Sequence, residues 1–562
     1  MEHSAREGAR CRPSPLPSED AVVPPELTNA TIADRLQSFA ALLDLADANP
    51  FAARAYRRAA DLIRATPAPV AELVRDGRIR ELRGVGSGIE ARLRELVETG
   101  EIAELRDLEA RISPELIGFG RLLGLSSRRV LDIAAALEIS TGEELRAAAA
   151  VGELRSVPGI GAKTEAQIRA ALEEAPRARR GLTINRSLQL LGPIADAIDG
   201  VVAGDTRRGC ELSFELAVVC AASDAEAVLD AFGQLPQIVA VVERDARRSV
   251  GVTVEGVPVV LVVAEPYRLG AELVRATGSA AYVDSLGPLP DGATEEAVFE
   301  ELGLSWPPPE LRELPAAEVP PALVGVGDLR GDLHCHTVWS DGKATVEEMA
   351  LAARERGYEY LAICDHTRNV RVVPGLDGDD VLRQGEEIAE VNERLAPFVV
   401  LRGIECDILA DGRLDLPQPA LAGLDWVQIS LHACQRRSRR ELTSIVTEAM
   451  RSPYSSALSH PKGRILNHRP ENALDLDRVF EVALETGVAV EINGLPDRLD
   501  LSSLHAREAL AAGVDLVLSS DGHSAGGLAS VEYAVTTARR AGAPRERIVN
   551  ALELAELRRR RR

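Results

Sequence analysis

The chain has 562 residues, which at roughly 100–200 residues per domain implies about three to five domains, and its 46% hydrophobic and 27% charged residues exclude a chain disordered throughout. A net charge of −22 excludes a protein that coats nucleic acid by bulk attraction, so any contact with DNA would have to come from local patches and backbone amides. No apolar run nears the ~18 residues of a membrane span, the N-terminus lacks a secretory h-region, and seven Cys without a CxxC pair suggest a reducing, cytoplasmic compartment.

Residues 1–27, rich in Pro, Ser and charge, are expected to form a mobile tail. From 28 to 110 apolar residues recur at helical spacing, as in LQSFAALLDLA, NPFAARAYRRAADLIRAT and IEARLRELVETG, and a second helical stretch covers 111–177. Over 178–303 the strand-like segments LSFELAVVCA, QIVAVVER, SVGVTVEG and VPVVLVVA, with helical AEAVLDAFGQL among them, predict a small α+β domain. The proline-rich stretch 304–327 is expected to be a stiff linker. Over 328–562, the strands YLAICD, FVVLRGIE, WVQISLH, AVEING and VDLVLSSD alternate with amphipathic helices, the pattern of a parallel sheet wound into a barrel.

Three glycine turns precede helices in the N-terminal half: Gly84-Val85-Gly86-Ser87-Gly88, Gly124-Leu125-Ser126 and Gly159-Ile160-Gly161-Ala162-Lys163-Thr164. A Gly-apolar-Gly turn leaves backbone N–H groups at a helix N-terminus, where they can hold a phosphate oxygen without reading a base. Arg54, Arg57, Arg58 and Arg64, offset by Asp61, form a possible phosphate-facing stripe. The plain alternatives are glycines that only end helices and a solvated helix face.

These segments resemble helix-hairpin-helix motifs, with Gly84, Gly86, Gly88, Gly159, Gly161, Lys163 and Thr164 at the DNA-gripping positions and Ser126 standing where a Gly is expected. From about residue 28 onward the chain resembles the family X DNA polymerases of bacteria and archaea that carry a C-terminal PHP (polymerase and histidinol phosphatase) domain. The resemblance rests on NPFAARAYRRAADLI, GVGSGIEARLRELVETGEIAEL, PGIGAKTEAQI and the nucleotidyltransferase-like VVAGDTRRG. It implies helical helix-hairpin-helix domains, a nucleotidyltransferase-like palm, and a C-terminal (β/α)7-type distorted TIM-like barrel.

The palm departs from that pattern. Two-metal phosphoryl transfer needs clustered carboxylates. Where the family has a pair of Asp, this chain has Ser213 and Glu215; where it has a third, this chain has Val260. Gly204 is followed by Asp205 rather than Ser, next to the paired Arg207 and Arg208 that the resemblance assigns to a triphosphate. Nucleotide addition is expected to be lost. No Lys occurs between 28 and 110, and Arg cannot form a Schiff base, so lyase activity is not expected either.

Eight of nine His follow residue 333. They fall in His334-Cys335-His336, Cys364-Asp365-His366, Ser430-Leu431-His432, Ser459-His460 and Asp521-Gly522-His523, most of them closing apolar strands, where barrel active sites form; His468 and His505 lie outside these motifs. His-x-His on an extended strand turns both imidazoles to one side. The PHP resemblance assigns His334, His336, Glu405 and Asp521 to one ion, Glu405, His432 and His460 to a second, and Asp341, His366 and His523 to a third. Glu405, Asp521 and His336 are the expected catalytic groups. Mixed imidazole and carboxylate donors suit two or three Zn²⁺, Mn²⁺ or Fe²⁺ ions better than Mg²⁺, and imply metal-assisted phosphoester hydrolysis. Asp365 and Glu491 either orient imidazoles or cap strands. Lys462, Arg464 and Arg498 bind substrate phosphate or form ordinary salt bridges. Cys335, Cys364, Cys406 and Cys434 are read as packing residues, and the basic run 558–562 as a solvated tail.

The reading that follows is a DNA-binding phosphoesterase, a 3′-5′ exonuclease or processor of 3′ ends and abasic sites in repair. It would be a nucleoid-associated monomer acting on gapped, nicked or 3′-end DNA. A competent repair polymerase, a small-molecule phosphatase and a non-enzymatic DNA-end scaffold are the alternatives.

Overall fold

Helical periodicity in the N-terminal part becomes nine helices: α1 (Asn29–Leu45), α2 (Pro50–Ala65), α3 (Val70–Arg75), α4 (Ser87–Thr99), α5 (Ala103–Glu109), α6 (Pro114–Leu122), α7 (Ser127–Leu137), α8 (Gly142–Val151) and α9 (Ala162–Glu173). The structure is a computed structural model that describes residues 29–560, apart from 46–49, 67–68, 83, 110–112, 174–179, 254, 316–321, 371–372 and 433–435. The expected tail 1–27, the side chain of Arg64, Cys434 and the end of the basic run lie outside the described residues.

Apolar faces at three- and four-residue spacing meet in one core. Ile32, Leu36 and Phe39 of α1, Ile63 of α2, Leu93 of α4, Ile133 of α7 and Leu145 of α8 are buried in a single cluster, which also takes in Ala240 and Val252 of the neighbouring sheet. Both helical stretches therefore share one core, anchored on the α+β domain.

That domain comprises β1 (Leu182–Thr183), α10 (Ile184–Ala197), β2 (Gly200–Ala203), α11 (Gly204–Arg207), β3 (Leu212–Ser213), β4 (Leu216–Ala221), α12 (Ala225–Gly233), β5 (Ala240–Arg244), β6 (Arg248–Val252), β7 (Pro258–Ala264) and α13 (Leu269–Thr277). Its sheet runs β2-β4-β7-β6-β5, with β4 and β7 parallel, while β1 pairs with β3 alone. The segment 211–216, which reads as one strand, is broken at Phe214-Glu215. The cause is local: the Asp205 carboxylate accepts hydrogen bonds from the backbone N–H of both Phe214 (2.6 Å) and Glu215 (2.9 Å). Those donors are lost to the ladder.

The stretch expected as a linker is not a free spacer over its first half. Arg312 is fully buried and paired with Glu295 through both guanidinium nitrogens (2.6 and 3.1 Å), and it donates to the Pro307 carbonyl. Arg207 meets the same carboxylate (2.8 and 3.0 Å), and the Trp306 indole donates to it as well.

In the C-terminal region, seven parallel strands follow chain order across one sheet: β8 (Gly331–Cys335), β9 (Tyr360–Ile363), β10 (Val399–Asp407), β11 (Trp426–Ser430), β12 (Ala457–Leu458), β13 (Ala489–Asn493) and β14 (Leu516–Ser519). Helices such as Gly378–Leu395 and Leu476–Thr486 cover its outside. The His336 N–H donates to the Gly522 carbonyl and the Asp521 N–H to His334, drawing the end of β14 onto β8 and nearly closing a barrel.

Burial would raise the Glu295 carboxyl, but Arg312 and Arg207 overcome it and hold it down to about 2. A depressed carboxyl stabilises the fold above its unfolded value and loses that contribution as pH falls through its folded value. Glu295→Ala leaves a buried guanidinium without a counter-charge and should cost roughly 3–5 kcal/mol. In urea unfolding, the gap between wild type and Glu295→Ala should be full near neutrality and shrink between about pH 4.5 and pH 2.

Candidate metal centre

The C-terminal ends of the barrel strands bring all nine histidines and carboxylates singled out in the sequence into one cluster. His334 lies on β8 with His336 and Asp341 just beyond it; His366 follows β9, Glu405 lies on β10, His432 follows β11, His460 follows β12, and Asp521 and His523 follow β14. Asp521 adopts a left-handed backbone (φ +51°), a conformation that costs a non-glycine residue energy and here re-aims the chain off the strand.

Glu405 is the hub. Oε1 lies 2.9 Å from His460 Nε2 and 3.5 Å from His432 Nε2, while Oε2 lies 2.7 Å from His366 Nδ1, 3.5 Å from His334 Nε2 and 3.7 Å from His336 Nε2. Asp521 Oδ1 approaches His336 Nε2 (3.0 Å) and His334 Nε2 (3.9 Å). Asp341 faces His523 (3.3 Å), His366 (3.7 Å) and His336 (3.9 Å). Three groups could each hold an ion: His334, His336 and Asp521; His366, Glu405 and His432; and His336, Asp341, His366 and His523. His336 and His366 each belong to two groups, so the partition is more shared than the family assignment implies.

Several contacts are close without being hydrogen bonds. His334 Nε2, His336 Nδ1, His366 Nδ1 and Glu405 Oε2 are buried with no hydrogen-bond partner among the described residues. Leaving such atoms unsatisfied costs about 1–3 kcal/mol each. A shared cation removes that penalty, and the mixed imidazole and carboxylate set fits Zn²⁺, Mn²⁺ or Fe²⁺.

Electrostatics fit the same picture. Burial would raise the Glu405 and Asp521 carboxyls, but the surrounding imidazoles hold both well below the usual range. His336 is pushed down to about 4 by burial and by His366 and His523. His523 is lifted to about 9, because Asp341 and Asp521 outweigh the burial that would lower it.

Around these groups lies a polar layer. Glu491 accepts from His334 Nδ1 (2.7 Å), Gln428 (2.9 Å), the Ser459 hydroxyl (2.9 Å) and the His460 N–H (2.7 Å). Asp365 accepts from Thr337, Ser340 and Gln384 and so ties loops together without reaching an imidazole. Sequence reasoning missed Asp407, which accepts the His432 N–H at 3.1 Å; Asn493, which donates to Asp521 at 2.8 Å; and Asp332, which takes the Ser520 and His334 N–H groups and whose carboxyl burial raises to about 6. A signal was available: Asp407 follows Glu405, and Asn493 follows Glu491, at the two-residue spacing that keeps side chains on one face of a strand. Cys335, Cys364 and Cys406 are buried among apolar neighbours, and burial raises their thiols.

Three cations were expected near phosphate. Lys462 donates to the Leu474 carbonyl (3.2 Å) and is 7% exposed; Arg464 donates to the carbonyls of Arg498 and Leu499 and pairs with Glu211 of the α+β domain (2.9 Å). Both are thus already engaged. Arg498 makes no side-chain hydrogen bond or ion pair among the described residues. Burial works against its charge, but Asp521 and Glu405, followed by Asp497 and Asp500, outweigh it and raise its pKa.

The palm positions are arranged otherwise. Ser213 is buried against Thr206 and Ser187 (both 3.2 Å). Glu215, Ala217 and Val260 line a cleft of about 900 Å³ whose floor includes Val262 and Ala276; Ala217 is also the residue opposite Val260 in the β4–β7 ladder. The rim carboxylates Glu265 and Glu272 are paired with Arg247 and Arg275. Arg207 is taken by Glu295 and Thr277 (2.9 Å to the hydroxyl), and Arg208 by Asp205, Glu313 and the Thr277 carbonyl.

All three glycine turns join two helical segments. Gly84 (φ +111°) leads to α4 and Gly159 (φ +83°) to α9, in conformations a side chain would strain, and Gly124 (φ +79°) leads to α7. A Cβ added at Gly86, Gly88 or Gly161 would meet nothing within 4 Å, so backbone lies open there; Lys163 and Thr164 follow on the first turn of α9. Ser126 is explained by its own hydroxyl, which caps α7 by accepting the Arg129 N–H. On α2, Arg54 and Arg58 are exposed and Arg57 is half-buried. Among the described residues no helix is long and apolar enough to cross a membrane.

The helix-hairpin-helix domain family matches residues 27–102, and the PHP domain family matches 332–493. DNA polymerase/3′-5′ exonuclease PolX of Bacillus subtilis is 28% identical, covering 93% of this chain and 97% of its own length. A probable phosphatase of Acetivibrio thermocellus is 31% identical over 34% of this chain and 78% of its own, and one of Syntrophotalea carbinolica is 29% identical over 39% and 90%. With likeness along nearly its whole length and a domain of the expected kind at each end, the chain is a homologue of the family X polymerase PolX, carrying an N-terminal helix-hairpin-helix domain and a C-terminal PHP domain.

Proposed function

We propose that this protein is a DNA-binding, metal-dependent phosphoesterase that trims DNA 3′ ends in repair and no longer adds nucleotides. The observation that carries the reading is the contrast between two clefts. The barrel rim gathers nine imidazole and carboxylate groups with unsatisfied buried donor atoms, whereas the palm cleft, lined by Val260, Val262 and Ala276, offers two carboxylates without an ion pair among the described residues, Glu215 and the exposed Asp245.

Two or three divalent ions held by His334, His336, Asp341, His366, Glu405, His432, His460, Asp521 and His523 would supply activated water near neutral pH and charge stabilisation for phosphoester cleavage. The chain's own groups prepare that site. Glu405 and Asp521, kept ionised by the surrounding imidazoles, set the negative charge that draws cations in. Glu491 orients His334 by accepting a hydrogen bond from its Nδ1–H, leaving Nε2 turned to the cluster, and Asn493 orients Asp521. Arg498, whose charge Asp521 and Glu405 favour and whose side chain makes no hydrogen bond or ion pair among the described residues, receives a substrate phosphate oxygen.

In the palm, Arg207 and Arg208 are neutralised by Glu295, Asp205 and Glu313, so the pair that would hold a triphosphate is unavailable. The hairpin amides at Gly86, Gly88 and Gly161, with Lys163, Thr164 and the α2 arginines, hold DNA by its backbone, which suits gapped, nicked or recessed ends of any sequence. A second reading, hydrolysis of a small phosphomonoester, is favoured by the likeness of the barrel to probable phosphatases.

With Mn²⁺ and a 5′-labelled primer–template, the wild type should shorten the primer with or without nucleotides. His334→Ala should slow this at least ~100-fold and Glu491→Gln about 10–100-fold, while Glu215→Ala should leave it unchanged. Lengthening that Glu215→Ala abolishes would overturn the loss of polymerase activity, and cleavage of p-nitrophenyl phosphate alone would favour the phosphatase. Gly161→Leu, placed where an added Cβ meets nothing within 4 Å, should keep the fold by circular dichroism yet weaken DNA binding severalfold. Lys163→Ala should reduce the salt dependence of binding by about one phosphate contact.

A further inference from the structure

The palm reaches into the rim of the barrel at one charged residue. Glu211, between α11 and β3, is one-fifth exposed; its Oε2 lies 2.9 Å from Arg464 Nη2, and its Oε1 accepts the N–H of Ser503 (3.1 Å) at the start of the helix Ser503–Ala512. Arg464, 8% exposed, spends its other donors on the loop after β13: Nε donates to the carbonyl of Arg498 (2.9 Å), and Nη2 to that of Leu499. Leu499 sits at φ +43°, a backbone state that a leucine does not hold unaided. The same loop is tied to the Arg464 segment by the Leu466 N–H on the Asp497 carbonyl (2.7 Å) and the Lys462 N–H on Asp500 (3.2 Å). Arg498, on this loop, is the cation near Glu405 and Asp521 that has no partner among the described residues.

We propose that Glu211 is a positioning residue for the phosphoesterase: by holding Arg464 it fixes the loop 495–500, and with it the Arg498 guanidinium that receives the substrate phosphate. The inference rests on the phosphoesterase reading above. It makes the barrel's anion site depend on the palm, a role for the palm that needs no nucleotide addition. Arg464 is buried and its charge is permanent. With Glu211 removed, the guanidinium keeps Glu471, at 3.6 Å, and the buried Asp500 as counter-charges, loses its close ion pair, and is drawn off the two carbonyls.

The test uses the full-length protein with Mn²⁺ and the p-nitrophenyl ester of thymidine 5′-monophosphate, a diester too short to reach the hairpins. Glu211→Ala should raise KM about fivefold to tenfold with kcat within about twofold, the scale of coupling between groups in contact. Bound Mn²⁺ by elemental analysis should be unchanged, and inhibition by inorganic phosphate should weaken by the same factor. Glu211→Gln, which keeps an acceptor for Ser503 but loses the charge, should fall between, and it carries the test alone if the alanine variant does not fold. Arg498→Ala should raise KM similarly, and the double variant should be no worse than Arg498→Ala. An active wild type with unchanged KM in both Glu211 variants, or additive effects with Arg498→Ala, overturns the positioning role only. A fall in kcat together with lost Mn²⁺ also overturns it, since Glu211 would then be merely structural. A Mn²⁺-loaded wild type that does not cleave the diester sinks the phosphoesterase reading and this inference together.

Discussion

The C-terminal half is organised around two buried carboxylates, Glu405 and Asp521, whose charges have to be compensated where the barrel strands end. An isolated ionised carboxylate away from water is too costly to persist. The chain meets the cost by converging imidazoles from β8 and from the segments after β9, β11, β12 and β14 on the same two groups. That convergence is possible only because parallel strands in a nearly closed barrel deliver their C-terminal ends to one rim. In the polar layer behind, Glu491 orients the His334 ring and Asn493 the Asp521 carboxylate, while Asp407 and Asp332 hold the backbone N–H groups of His432 and His334.

The palm follows the opposite logic. The arginines beside Gly204 are turned inward, whereas Arg247, Arg248, Arg268 and Arg275 line the cleft. Arg207, Arg208 and Arg312 are bound into ion pairs with Glu295, Glu313 and Asp205, and the cleft floor is valine and alanine. Such pairs fix the packing of α11, α13 and the proline-rich stretch against each other. The Glu211–Arg464 contact marks where this domain touches the edge of the barrel.

Much of this was legible in the residues. Glycines before helices marked the hairpins, because only glycine accepts the backbone at positions 84 and 159 without strain. Histidines closing apolar strands marked the barrel rim. What escaped was the supporting layer: Asp407 and Asn493 look like ordinary polar ends of strands until neighbouring strands bring His432 and Asp521 beside them. Strand continuity at Phe214-Glu215 was misread as well, because the Asp205 carboxylate that breaks it lies nine residues upstream and joins it only through the fold. The proline-rich stretch read as a spacer because proline content reports stiffness, not whether a buried partner such as Glu295 waits for Arg312.

Sequence alone determined the kind of each element and the inventory of donors, because helix and strand periodicity and ligand chemistry are properties of residues and their near neighbours. Tertiary structure decided how the nine donors are shared, that Arg498 stands unpaired among the described residues while Lys462 and Arg464 do not, and that the palm grips the barrel at Glu211. These depend on distances between residues far apart in the chain, set by strand order and packing, and spacing along a sequence carries no record of them.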